Sequence, residues 1–125
     1  MRRGSRKPVR VKSVELCAEP GDGMRVLVER RWPRGACRQG TAIDLWLREA
    51  APSTALSLWY GRDPRRWQRF RDRYREELSR RPRIVHLLED LRRRAAVTLV
   101  FGAQDVSRNH AHVLRELIDR KGDLP

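Results

Sequence analysis

The 125-residue chain predicts a small α/β domain built on a mainly parallel sheet of three to four strands covered by helices. Three short runs rich in β-formers, at residues 9–14, 25–29 and 97–101, read as strands. Residues 53–95 between the second and third carry apolar spacing of helical period, and a helical crossover favours parallel pairing. At this length the chain fits one core and is too short for two.

Residues 1–8 are basic with little to bury and are expected to form a flexible arm, leaving 9–125 as the domain. Val9, Val11 and Val14 alternate with Arg10 and Lys12 as a half-buried strand, and the turn cluster Pro20-Gly21-Asp22-Gly23 leads into the second. That strand ends in charge at Glu29-Arg30-Arg31, and Pro33 with Gly35 stops it. The run from Ile43 to Leu47 is too short to type. Ser53 is an N-cap for a short helix that ends near Tyr60 at Gly61, and Asp63-Pro64 starts another that runs to about Ser79. Trp67, Phe70, Tyr74 and Leu78 form one stripe of it; the regular spacing favours burial over a stacking surface for single-stranded nucleic acid. Its opposite face is expected to be partly ion-paired, Arg69 with Asp72 and Arg73 with Glu77. Pro82 opens a third helix with Ile84, Leu88, Leu91 and Ala95 inward, closed by Arg92-Arg93-Arg94. After the strand at 97–101, Gly102 ends the run, and a final helix turns Ala111, Leu114, Leu117 and Ile118 inward.

Twenty-nine Lys and Arg oppose 16 Asp and Glu, a formal charge of +13, which draws anionic partners: nucleic acid or a phosphorylated small molecule. Only three of the cations are lysines, so a genome rich in Arg codons is an alternative source of the excess. Cys17 and Cys37 lack metal-ligand spacing and read as free thiols in a reducing compartment. The basic start has no apolar segment of signal-peptide length and no stretch is long enough to span a membrane, so a cytoplasmic location is expected.

In a parallel sheet, ligands bind at the carboxyl ends of the strands. If the second and third strands are neighbours, those ends bring Glu29, Arg30 and Arg34 toward Asp105, Asn109 and His110. Arg30 and Arg34 offer planar donors to phosphate or carboxylate, with Trp32 and Asn109 as further binding candidates. Glu29, Asp105 and His110 are the groups suited to acid-base work if the protein is an enzyme; the plain alternatives are an arginine pair, a helix cap and a core histidine. There is no phosphate-binding glycine loop, no helix with two metal-spaced histidines and no nucleophile elbow, so neither metal nor cofactor is expected.

Several stretches together resemble one family: Arg25-Val26-Leu27-Val28-Glu29-Arg30-Arg31-Trp32-Pro33-Arg34-Gly35, the run from Asp44 to Ser53, Trp59-Tyr60-Gly61-Arg62-Asp63-Pro64 with Trp67, Phe70 and Tyr74, and Val97 to Asp105 with Asn109-His110-Ala111. They are similar to the small bacterial YeaO-like proteins, a domain of unknown function, over about residues 9–117. The resemblance implies an α/β fold and brings no activity. The chain departs from the family at Glu29, usually Asp, which keeps the carboxylate but extends it, and at Gln104, usually Lys, which removes a cation. The expected function is binding of an anionic ligand, nucleic acid or a nucleotide, at the strand ends. The alternative is a small enzyme acting on a nucleotide or sugar-phosphate.

Overall fold

Strands β1 (Val9–Ser13), β2 (Met24–Leu27), β3 (Leu45–Trp46) and β4 (Val97–Phe101) run parallel in the order β1-β4-β2-β3 in the computed structural model, which describes residues 9–34, 42–102 and 108–123, with side chains as far as 119. β4 is buried at every residue because it lies between β1 and β2, with Leu99 opposite Val11 on one side and Val26 on the other. A strand buried on both edges and both faces reads as a continuous apolar run, which is how Val97-Thr98-Leu99-Val100-Phe101 reads. The second and third strands of the sequence reading, β2 and β4, are therefore parallel neighbours.

Helices α1 (Thr54–Tyr60), α2 (Trp67–Ser79) and α3 (Pro82–Arg94) join β3 to β4, and α4 (His110–Asp123) follows. All four contribute buried side chains to one core with Val26, Val28, Val97, Leu99 and Phe101. A smaller cluster, Val14, Leu27 and Val100 with Ile43 and Trp46, lies apart from it. The stripe expected on α2 is in the core: Phe70, Tyr74 and Leu78 are buried, and Trp67 is partly covered.

Local chemistry explains the helix ends. Ser53 Oγ accepts the Leu56 N–H, and Gly61 in the left-handed conformation, φ 51°, closes α1. Asp63 accepts the Arg65 N–H, but the turn it starts, Pro64–Arg66, is a 3-10 turn that precedes α2. The inward face of α3 is Val85, Leu88 and Arg92, while Ile84 and Leu91 are only partly buried. Arg92 turns in because its guanidinium reaches the Ile118 carbonyl at 3.3 Å and Asp119 at 3.4 Å on α4.

Two further expectations are corrected. Neither Arg69 with Asp72 nor Arg73 with Glu77 pairs; Glu77 instead accepts the Ser53 N–H at 2.8 Å and the Ser53 hydroxyl at 2.5 Å and lies 3.8 Å from Arg81. Nor is Cys17 a free thiol, since its sulfur is disulfide-bonded. Cys37 and the basic arm at 1–8 lie outside the described residues.

Candidate anion-binding cleft

Beyond β2 the chain is fixed by a small set of polar bonds. The Glu29 carboxylate accepts the Gly102 N–H at 2.8 Å, which ties the end of β2 to the end of β4. Gly102 has to be glycine for a steric reason, because a Cβ there would meet the Pro33 Cβ at 2.4 Å. Pro33 thus packs on the end of β4, and the loop that carries Arg30, Arg31 and Arg34 is held over the strand ends.

The turn that opens α4 comes to the same place. His110 is buried, with Nε2 2.7 Å from the Val28 carbonyl oxygen and 3.5 Å from the Glu29 carboxylate. A carbonyl only accepts, so Nε2 carries the proton and donates it to Val28. The Tyr74 ring stands edge-on to the imidazole at 6.0 Å, and the Tyr74 hydroxyl donates to the Ala50 carbonyl. Burial pushes that phenol well above its ordinary pKa, which keeps it neutral. Asn109, also buried, accepts the Ala111 N–H on Oδ1 at 2.9 Å and so caps α4.

Between these segments lies a cleft of about 720 Å³. Glu29, Arg30, Arg34, Asn109 and His110 are on its wall, so the structure gathers five of the seven candidates named from sequence. Asp105 lies outside the described residues, as does Gln104. Trp32 does not reach the cleft wall: its exposed ring stands edge-on to Trp46 at 5.3 Å, and the Trp46 indole N–H donates to the Glu29 carbonyl at 2.6 Å.

Sequence reasoning passed over Arg31, Arg62 and Arg108, which join Arg30 and Arg34 to make five arginines among the described lining residues, against two carboxylates, Glu15 and Glu29. A signal for Arg62 was present. It directly follows the Gly61 helix stop, and in the structure it has φ 58°, a left-handed value that a non-glycine residue seldom adopts. The apolar part of the wall includes Leu58, Tyr60 and Phe70, of which the helical pattern marks Phe70 for the core and gives no sign that it also lines a cleft.

Arg30 is held in place by the backbone beside it. It is half-buried, and its Nε donates to the Pro52 carbonyl at 3.0 Å. Anchored through Nε, the guanidinium presents its two terminal amino groups, the pair that grips an oxyanion end-on. Arg34 is exposed. No three His, Cys, Asp or Glu side chains come together to hold a metal among the described residues, and no helix there is long and apolar enough to cross a membrane.

No solved structure matches the chain. An uncharacterized protein of Mycobacterium bovis is 39% identical over 111 residues, which cover 89% of this chain and 93% of that one. A protein of Mycobacterium tuberculosis, strain H37Rv, also uncharacterized, matches to the same extent. The uncharacterized protein YeaO of Escherichia coli is 34% identical over 108 residues, 86% of this chain and 94% of its own. The profile of a family described as the inactive DUF488-N3 subclade matches residues 8–123, and with YeaO among its relatives the chain belongs to that YeaO-like family of unknown function.

Proposed function

We propose that the protein is a binding module for a phosphorylated ligand, a nucleotide or the phosphate of a nucleic-acid end, held in the cleft at the carboxyl ends of β2 and β4. The observation that carries this reading is Arg30. Its fork is fixed on Pro52 in a cleft where arginines outnumber carboxylates, and one of those carboxylates, Glu29, is engaged with Gly102. A volume near 720 Å³ suits a ligand of nucleotide size.

Binding is favoured over catalysis by two further points. Glu29 and His110 stand close enough to act together, but the His110 Nε2 proton is given to a backbone carbonyl and Glu29 holds a backbone N–H, which are structural uses of both. The family is described as inactive.

The test is isothermal titration with pyrophosphate and with adenosine and guanosine nucleotides, on the parent and on Arg30→Gln and Arg34→Gln. Loss of Arg30 should weaken binding by about 1.5 to 3 kcal/mol, the scale of a charge-assisted hydrogen bond at a partly covered site. Arg34, exposed to screening by solvent, should cost less, about 1 kcal/mol or below. Equal affinity in the parent and the folded Arg30→Gln protein would remove the cleft as the anion site.

A further inference from the structure

The aromatic stripe of α2 faces the core, but a different aromatic residue, packed against that core on one side, stands among arginines at the surface. Trp59, near the end of α1, is half-buried, and the guanidinium carbons of Arg66 and Arg73 lie over its ring at 5.1 and 4.4 Å from the centroid. Arg66 also donates to the Trp59 carbonyl and lies 3.8 Å from Asp63. Arg69 and Arg73 are exposed, and neither has an ion pair among the described residues. The acids expected to neutralise them do not: Glu77 is occupied by Ser53 and Arg81. Between residues 62 and 73 six arginines face two aspartates, and Asp63 is already shared by Arg65 and Arg66.

Arg66, the last residue of the 3-10 turn that leads into α2, and Arg69 and Arg73 on α2 follow one another at i, i+3 and i+7, which sets them in a row down the start of one side of the helix. Each step is about one helical turn, roughly 5.4 Å of rise, a spacing comparable with that of successive phosphates in an extended strand. We propose that this row, with Trp59, is a docking surface for single-stranded nucleic acid. The arginines lie along the phosphates, and an unpaired base stacks against the pair formed by Trp59 and the Arg73 guanidinium. Charge complementarity argues for a polyanion. The aromatic ring and the guanidinium planes argue for exposed bases, since a duplex keeps its bases stacked on one another and offers only its backbone to this surface. The inference does not require the cleft to hold a ligand, although Arg62 on the cleft wall is only four residues from Arg66.

The experiment uses the full chain and a fluorescein-labelled oligothymidylate of about 12 nucleotides, long enough for one such site, followed by anisotropy over a series of salt concentrations. The parent should bind at low salt and weaken as salt rises. Arg69→Gln with Arg73→Gln, both exposed so that the fold is kept, should weaken binding roughly tenfold or more at low salt and flatten the salt slope by about 1.4, the counterion release of two phosphate contacts on a single strand. Trp59→Leu should weaken binding with the salt slope unchanged, because stacking releases no counterions. A duplex of matched length should bind several-fold more weakly than the single strand. A double variant that binds like the parent would overturn the surface, and so would a loss seen only in Arg30→Gln, which would put the polymer in the cleft. Duplex and single strand binding equally, with no effect of Trp59→Leu, would overturn the single-strand assignment.

Discussion

His110 shows how one hydrogen bond decides what a polar residue is for. With Nε2 donating to Val28 at 2.7 Å, the ring nitrogen nearest the Glu29 carboxylate is already engaged by a backbone carbonyl. The carboxylate in turn holds Gly102, so the pair works first as a clasp between β2, β4 and α4. Glu29→Gln retains an acceptor oxygen for the Gly102 N–H and should cost about 1 kcal/mol in a urea melt. His110→Gln removes a buried ring packed against Tyr74 as well as its bond, and should cost more, about 2 to 3 kcal/mol. On the binding reading proposed above, neither variant differs from the parent in turnover. The decisive check is a screen of the parent on nucleotides and sugar-phosphates: activity there that disappears in folded Glu29→Gln protein would make the pair catalytic instead of structural.

At the scale of elements, the end of the sheet away from the cleft is joined by a buried ionic cluster. Asp22, in the turn before β2, accepts from Arg25 of β2 at 2.5 Å and from Lys12 of β1 at 3.1 Å, and its backbone carbonyl accepts the Thr98 hydroxyl of β4 at 2.7 Å. Burial alone would raise the Asp22 carboxyl, but the Glu19 N–H, Lys12 and Arg25 outweigh it and hold the pKa below the ordinary carboxylate range. A group whose folded pKa is depressed stabilises the fold above its unfolded pKa, about 3.9, and loses that contribution as pH falls through the lower folded value. Lys12, raised mainly by its hydrogen bond to Glu19, behaves in the opposite sense: its contribution is complete below about pH 10.4 and is lost only as pH rises past that. The cluster should therefore be intact across the neutral range and fail in acid. Asp22→Asn should cost about 3 to 5 kcal/mol at pH 7, because the variant breaks a buried ion pair by removing the carboxylate charge that Arg25 meets at 2.5 Å, and chemical melts at pH 7 and pH 3 should show the difference between variant and parent shrinking in acid.

That cluster also marks where sequence reasoning stopped. The strands, the Ser53 cap, the Gly61 stop and the convergence of Glu29, Arg30, Arg34, Asn109 and His110 were legible because local chemistry and strand order determine them. Arg25 and Arg92 were not read as buried, because an arginine in a strand or at a helix end reads as solvated until its partner from a distant segment is known. The two residues of β3 were too few for a period to show. The inward face of α3 was misplaced by the same Arg92, whose partners on α4 lie 26 and 27 positions away in the chain.

For the whole molecule, the charge of +13 on 125 residues sets two effects against each other. Self-repulsion among arginines destabilises the compact state, and salt relieves it: the Debye length falls from about 30 Å at 0.01 M to about 8 Å at 0.15 M, so exposed cations such as Arg31, Arg34 and Arg69 cease to feel one another across the surface. Chloride should therefore raise the melting temperature by screening alone. An anion that binds the cleft stabilises by a further mechanism, through mass action on the folded state, and that gain saturates as the site fills. Phosphate also stabilises proteins generally by exclusion from their surfaces, so phosphate against chloride at equal ionic strength is not a sufficient comparison. The comparison that separates these effects is the excess of phosphate over chloride in the parent set against the same excess in Arg30→Gln. Screening and exclusion survive that substitution almost unchanged, since it removes one charge of many, whereas site binding depends on the Arg30 fork anchored at Pro52. The expected result is a phosphate excess that saturates in the parent and is largely lost in Arg30→Gln, followed by differential scanning fluorimetry. An equal excess in both proteins would mean that the basic surface acts only through its net charge and that the cleft holds no anion.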